Sequence, residues 1–222
     1  RPACSSTHRV PLLSKKILSH HILDSYLKVS PKEWNALLLP SDAPFLEHAF
    51  LTTLEAMGCA TAETGWLPRP IVVRDDEGRL LGAAPAWVKR HSMGEFVYDH
   101  AWADAAQRAG FAYYPKLVVG VPFTPATGRR LLVHADAPNL ATRDRLIEAV
   151  LEASRDTTGV HVLFHAAEEA PWWSENGLFA RLQYQFHWTN RGYESFDAFL
   201  SDLRSKTRAN IRRERRALHD LD

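Results

Sequence analysis

Apolar residues recur every three or four positions along much of the chain, which is the spacing of amphipathic helices. The helices that this spacing predicts cover residues 31–38, 44–57, 96–109, 139–154, 168–176 and 196–218. Gly58 and Gly110 directly follow two of them, as expected of helix C-caps. Ser195 carries a hydroxyl that can cap a helix N-terminus, so the last helix is expected to begin directly after it.

Short apolar runs between these helices predict strands. They cover residues 69–74, 79–89, 116–121, 131–134, 160–165 and 179–189, and residues 21–29 fit a strand and a helix equally. Gly82 and Pro85 interrupt the second strand, which predicts either a bulge that frees a backbone N–H or an edge position. The alternation of helices with short strands indicates an α/β or α+β fold with a mixed sheet.

Composition limits the classes of protein that need to be considered. The 222 residues are 45% hydrophobic and 24% charged, which is typical of a globular protein with a sizeable core. A net charge of +1 does not favour nucleic-acid or membrane binding through global charge. No apolar run reaches the roughly 20 residues of a membrane span. Cys4 and Cys59 are too few for a disulfide framework, so a reducing compartment, the cytoplasm, is expected.

The two ends of the sequence suggest processing or truncation. The chain begins at Arg1 and stops at Asp222 within a helical pattern, so we expect a piece of a longer protein. Residues 1–23 are basic, rich in Ser and free of acids, which is the composition of an organelle transit peptide. An organellar location is therefore the alternative to the cytoplasm. A cloning remnant or a frayed terminus would explain the same stretch equally well.

The last predicted helix is strongly basic. Its positive residues are Arg204, Lys206, Arg208, Arg212, Arg213, Arg215 and Arg216. Their mutual repulsion destabilises the helix unless an anion or an acidic surface lies opposite. We therefore predict that Lys206, Arg208, Arg212 and Arg213 contact phosphate groups or the backbone of a nucleic acid. A solvated face that meets acidic residues elsewhere is the alternative.

Candidate catalytic residues lie in the polar and aromatic stretch 98–116. On a helix, His100 and Asp104 lie one turn apart, so the carboxylate can orient the imidazole as a general base, with Asp99 in the same pocket. Tyr114 is a candidate acid, and Lys116 a candidate phosphate-binding ammonium. Structural roles for the His–Asp pair and for the tyrosine are the alternatives. The sequence has no P-loop, dinucleotide-binding motif or nucleophile elbow.

Several blocks of the sequence are specific enough to suggest a family. They are PFLEHAFL at 44–51, YDHAWAD at 98–104, YYPKL at 113–117, VPFTPATG at 121–128 and KTRANIRRER at 206–215. They resemble a FemAB-like family that is often labelled peptidoglycan biosynthesis or GNAT acyltransferase, and the last block resembles a helix of Fem peptidyltransferases. The resemblance implies a GNAT-like mixed sheet flanked by helices, as the first of two GNAT-like halves. Residues 1–20 would then be a leader, 21–194 the first domain, and 195–222 a basic helix leading into the second half.

The resemblance also implies a function. Relatives transfer an acyl or aminoacyl group to an amine, with acyl-CoA or aminoacyl-tRNA as co-substrate and no tightly bound cofactor. The expected partners are therefore an acyl donor and an amine-bearing acceptor, with tRNA or nucleotide phosphates contacting the basic helix. A non-enzymatic RNA-binding protein that uses this helix is the second hypothesis. The third is an inactive scaffold that binds a partner through Trp172, Trp173 and Trp188.

Overall fold

The computed structural model describes residues 17–219, so most of the predicted leader, residues 1–16, lies outside the described part of the chain. The chain divides into two compact units, Arg1–Arg181 and Leu182–Asp222. No helix between residues 17 and 219 combines the length and the apolar character needed to cross a lipid bilayer.

The first unit contains both strands and α-helices. Its strands are β1 (Ser19–Ile22), β2 (Trp66–Pro68), β3 (Ile71–Arg74), β4 (Leu80–Ala84), β5 (Ala86–Lys89), β6 (Lys116–Val119), β7 (Leu132–Val133) and β8 (Val160–Val162). Its α-helices are α1 (Pro31–Asn35), α2 (His48–Ala56), α3 (His100–Arg108), α4 (Asn139–Ala153) and α5 (Ala170–Glu175). The second unit contains α6 (Phe196–Ser201) and α7 (Ser205–His219).

The strands form two four-stranded sheets. The first has the order β1-β3-β4-β7 and is antiparallel throughout, and the second has the order β2-β5-β6-β8 with a parallel β6–β8 pair. A mixed α/β fold with flanking helices is therefore confirmed. The expected single sheet is divided in two.

Two prolines explain this division. Pro68 pairs with Trp87 in one sheet and Ile71 pairs with Ala84 in the other, in one continuous register, so Pro70 lies opposite Pro85. Neither proline has a backbone N–H to donate to the ladder, so the hairpin separates into two sheets at this point.

The predicted bulge is confirmed in the strand that follows the hairpin turn. Val73 pairs with Gly82 but Arg74 pairs with Leu80, which leaves one extra residue on β4. The edge position is wrong, because β4 lies between β3 and β7. Gly82 pairs on both sides and Pro85 has no N–H, so neither offers the free N–H that the interruption suggested.

Tryptophan side chains dominate one of the two core clusters. Trp34, Trp66 and Trp87 are almost completely buried there. Trp34 donates from Nε1 to the carbonyl of Leu46 at 2.8 Å, and Tyr26 donates to the carbonyl of Ala86 at 3.1 Å. These bonds satisfy the polar atoms of rings that would otherwise lose solvation on burial. The second cluster lies between the strands and α4, whose buried residues include Leu146 and Val150.

Several predicted elements have different bounds in the structure. The helix predicted from residue 96 begins at His100, because Phe96 (φ 59°) and Tyr98 (φ 47°) adopt the left-handed region. The helix over 44–57 begins with a 3₁₀ turn, Pro44–Leu46, before α2. The last helix is interrupted at residues 202–204, so that it forms α6 and α7.

The strand predicted over 179–189 is wrong. This segment forms no regular secondary structure, and its alternating apolar side chains are exposed, with Leu182 at 93%, Tyr184 at 99% and Phe186 at 99%. A strand requires a hydrogen-bonded neighbour, and no other strand in the described part of the chain pairs with this segment. The alternating pattern alone does not supply that neighbour.

Candidate active site

An open cleft lies between one face of α3 and the chain that enters β6. Its volume is about 400 Å³. The residues that line it are His100, Ala103, Asp104, Gln107, Phe111, Ala112, Tyr113 and Tyr114. The first four share a face of α3 because they are spaced three or four positions apart. The structure therefore brings together three of the predicted catalytic residues, His100, Asp104 and Tyr114.

His100 and Asp104 face the cleft rather than each other. Both side chains are exposed, and no hydrogen bond or ion pair joins them within residues 17–219. The expected orientation of the imidazole by the carboxylate is thus not formed in this structure. Both groups instead remain accessible to a molecule in the cleft.

A cluster of buried charges lies beneath the tyrosines of the cleft. The ammonium Nζ of Lys116 is 2.6 Å from Oδ2 of Asp99 and 2.8 Å from Oε2 of Glu95, and all three side chains are inaccessible to solvent. Lys116 was predicted to bind phosphate, but here a phosphate would have to displace a carboxylate. The burial of three charges is tolerated because they form ion pairs at hydrogen-bonding distance.

Hydrogen bonds connect this cluster to the wall of the cleft. Tyr113 donates from its hydroxyl to Oδ2 of Asp99 at 2.8 Å, and the hydroxyls of Tyr114 and Ser92 are 2.7 Å apart. Ser92 also accepts a hydrogen bond from Lys116 at 2.9 Å. The two tyrosine rings lie nearly perpendicular, at 83°, with centroids 5.1 Å apart. Their positions are therefore fixed from the buried side.

The pKa values of the two carboxyl groups in the cluster are shifted in opposite directions. Burial opposes ionisation of Asp99, but hydrogen bonds from Lys116, Ser92 and Tyr113 outweigh it and lower the pKa of Asp99 to about 2. Burial raises the pKa of Glu95 above its usual value, and the charge of Lys116 only partly offsets this effect. Asp99 is thus the stronger acid of the pair.

Two basic groups border the cluster and are difficult to protonate. Burial lowers the pKa of Lys89 to about 8, although Glu95 favours its charge. The Lys89 ammonium lies 3.7 Å from the ring centroid of Trp66 and donates to the carbonyl of Met93 at 3.0 Å. Burial, reinforced by the positive charge of Lys116, lowers the pKa of His161 to about 4, so this imidazole is neutral at pH 7.

The loop between β5 and α3 carries the acids of the cluster in an unusual backbone conformation. Glu95, Val97 and Asp99 point inward and are buried, whereas Phe96 and Tyr98 point outward and lie in the left-handed region. Left-handed conformations of non-glycine residues cost about 1–3 kcal/mol each and persist where the surrounding structure enforces them. Here the ion pairs of both acids with Lys116 hold the loop.

The sequence missed much of this cluster. Ser92, Glu95, Lys89, Tyr113 and His161 were not among the predicted site residues. A lysine directly before the apolar run of β6 was the available signal, since a buried lysine requires a carboxylate partner. Which carboxylates would meet it depended on the path of the loop between β5 and α3.

The predicted phosphate-binding residues of the second unit divide between two faces of α7. Arg208 donates to the carbonyl of Ser201 at 3.3 Å, and Arg212 lies 3.5 Å from Asp197. Lys206 and Arg213 lie on another face of the helix and have no partner among the described residues.

The part of the chain from residue 17 to residue 219 contains no group of three or more His, Cys, Asp or Glu side chains placed to bind a metal ion.

Comparisons with known proteins place the chain in a family. Residues 25–222 match the model of the FemAB_like family, described as peptidoglycan biosynthesis/recognition. A crystal structure of a protein from Deinococcus radiodurans R1, provisionally named an acetyltransferase, is similar with a TM-score of 0.41 and 15% sequence identity. The match covers 78% of this chain and 88% of that chain. No curated protein matches at a significant level.

Proposed function

Because the chain belongs to the FemAB_like family, we propose that it is an N-acyltransferase whose amine acceptor binds in the cleft beside α3. The family assignment, which confirms the resemblance seen in the sequence, supports a transferase role in general. The nature of the transferred group, an acyl or an aminoacyl group, belongs to the proposal.

One observation carries the proposal. His100, Asp104 and Tyr114 line the same cleft, so an imidazole, a carboxylate and a phenol all face one small volume. A carboxylate attracts the ammonium form of an amine, an imidazole can accept its proton, and a phenol can donate one. Amide formation from an amine and an activated acyl group needs these three functions.

The reaction follows from this arrangement. The acceptor, bound by Asp104 as an ammonium ion, first releases one proton to water. The resulting amine attacks the carbonyl carbon of the donor while the ring of His100 accepts a second proton from its nitrogen. The new C–N bond forms as the C–S bond of an acyl-CoA, or the C–O bond of an aminoacyl-tRNA, breaks. Tyr114 donates its proton to the departing sulfur or oxygen, and exchange with water restores His100 and Tyr114. No covalent acyl-enzyme is required.

The buried cluster positions the tyrosine in this proposal. Ser92 contacts both Tyr114 and Lys116, at 2.7 and 2.9 Å, so the phenol has a fixed partner on its buried side. Fixed geometry reduces the reorganisation needed in the transition state. Lys116 therefore acts through Ser92 as a positioning residue.

The experiment is a transfer assay with both donor classes. The purified chain is incubated with radiolabelled acetyl-CoA or with radiolabelled aminoacyl-tRNA and a set of primary amines, and amide products are counted. We expect His100→Gln to lower turnover by about 100-fold, in the range for loss of a general base. Its unfolding free energy should change little because the side chain is exposed.

The matched control is His21→Gln, an exposed histidine outside the cleft, which should retain full turnover. Equal losses in both variants, or no transfer from either donor, would refute the proposed function.

RNA binding is the second candidate function, and the free face of α7 favours it. Lys206 and Arg213 are two turns apart on that face and have no described carboxylate partner. In a filter-binding salt series with RNA, Lys206→Gln/Arg213→Gln should lower the slope of log K against log salt by about 1.4 if two phosphate contacts are lost. Arg208→Gln/Arg212→Gln is the matched control, because these arginines contact α6. Salt-sensitive binding without acyl transfer would favour this function over catalysis.

A further inference from the structure

We propose that the cleft beside α3 recognises its acceptor as a cation, through aromatic walls and one carboxylate, so that its ligands are organic ammonium ions. The inference rests on the proposed function only in that this cleft is the acceptor site. It assigns a binding determinant, the aromatic surface formed by Phe111, Tyr113 and Tyr114 together with Asp104.

The aromatic walls have a geometry suited to a cation. The rings of Tyr113 and Tyr114 meet at 83°, so a ligand in the corner between them can contact two rings at once. Phe111 lines the same cleft with 71% of its surface exposed. The faces of aromatic rings carry negative potential. Proteins therefore commonly bind ammonium groups between several aromatic rings.

The charged side chains of the cleft also favour a cationic ligand. None of its eight lining residues is Lys or Arg, and Asp104 has no cationic partner among residues 17–219. An exposed carboxylate among aromatic rings attracts a cation both by charge and by the ring faces. An anionic ligand would meet only repulsion from Asp104.

The nearest lysine does not cancel this attraction. The Lys116 ammonium lies 5.2 Å from the ring centroid of Tyr113 and 5.5 Å from that of Tyr114. Its charge is balanced by Asp99 and Glu95 at 2.6 and 2.8 Å. Seen from the cleft, the buried cluster therefore contributes little net positive charge.

The cleft is large enough for a head group with a short chain. Clefts that bind small molecules typically enclose about 300–1,000 Å³, and this one, at about 400 Å³, is at the lower end. A primary ammonium on a flexible chain and its methylated forms both fit this chemistry. A quaternary ammonium has no lone pair on nitrogen, so it can bind but cannot be acylated.

This difference allows binding to be tested apart from transfer. The probe is choline, compared with 3,3-dimethyl-1-butanol, a neutral molecule of the same shape, in titrations followed by the ¹H chemical shifts of the tyrosine ring protons. We expect choline to bind at least about tenfold more tightly than the neutral probe. Asp104→Asn should weaken choline binding about tenfold, equivalent to about 1.4 kcal/mol, and Phe111→Leu several-fold.

Asp156→Asn is the matched control, since Asp156 is an exposed carboxylate outside the cleft. It should leave choline affinity unchanged, and circular dichroism of each variant checks folding. Equal affinity for choline and the neutral probe would overturn the inference, as would equal effects of Asp104→Asn and Asp156→Asn. Selective choline binding without any acyl transfer would support the inference and refute the proposed function.

Discussion

The Lys116 ammonium lies 2.6 Å from Oδ2 of Asp99, and neither side chain is accessible to solvent. This pair joins the first residue of β6 to the residue directly before α3. It therefore holds both sides of the cleft, the helix that carries His100 and Asp104 and the segment that carries Tyr114. Stability and site geometry are coupled at this point.

Loss of the buried ammonium of Lys116 should strongly lower the free energy of unfolding. Lys116→Met leaves Asp99 and Glu95 buried without their cation, and breaking a buried pair in this way typically costs about 3–5 kcal/mol. Denaturant unfolding of the full chain at pH 7 measures the change. Lys28→Met removes an exposed pair with Asp24 and should change the unfolding free energy far less. Similar values for both variants would contradict the assigned role of Lys116.

Stability should fall on acidification because of His161. Its pKa is lowered in the folded state to about 4, from 6.5, so the unfolded chain binds the proton first as the pH falls between these values. The folded state should lose on the order of 2 kcal/mol between pH 7 and pH 4.5 from this residue. The neighbouring charges are Lys116, Asp99 and Arg181.

The measurement is the unfolding free energy at several pH values for the natural chain and for His161→Gln. The variant should lose less stability over this range, because glutamine does not titrate. Parallel pH profiles would exclude His161 as the cause.

Substitution of Gly94 should lower the stability of the fold. Gly94 has a φ of 79°, and a Cβ atom there would lie 2.7 Å from ring atoms of Phe123. Gly78 has a similar φ of 81°, but a Cβ there would meet no atom within 4 Å. Gly94→Ala should therefore be more destabilising than Gly78→Ala, by about 1–3 kcal/mol for the overlap alone. Thermal unfolding of both variants separates the overlap from the backbone strain that they share.

The buried Arg130 should not tolerate lysine. Its guanidinium donates to the carbonyls of Leu163, Arg129 and Ala126 at 2.8–2.9 Å. The ammonium of lysine cannot reproduce the planar geometry of these donors, so carbonyls would lose partners. Arg130→Lys should cost about 2 kcal/mol or more, at about 1 kcal/mol for each lost bond. Arg155→Lys, at an exposed position, should be nearly neutral in the same denaturant titration.

Local sequence signals predicted the elements that depend on near neighbours. The helix expected over 139–154 is α4, Asn139–Ala153, because its apolar spacing and its packing face coincide. β3 and β4 lie within the strands predicted over 69–74 and 79–89. The strand over 179–189 failed because pairing requires a partner that local alternation cannot provide.

The candidate site was predictable only in part. His100, Asp104 and Tyr114 were chosen from side-chain chemistry and helical spacing, and they do line one cleft. Their proposed catalytic roles stay predictions. The partners of Lys116 could not be predicted, because Glu95 reaches it through a loop whose left-handed residues, Phe96 and Tyr98, have no sequence signature.

The sequence by itself determined the fold class, the family and the residue types available for the proposed acyl transfer. These properties reside in periodicity, turn residues and motif blocks, all of which are local along the chain. Tertiary structure alone decided that Pro70 faces Pro85, that Lys116 is buried between Asp99 and Glu95, and that the tyrosines form a corner in the cleft. The two prolines are 15 positions apart, and Lys116 follows Asp99 by 17 positions and Glu95 by 21, because burial and charge pairing act through distance in space rather than along the chain.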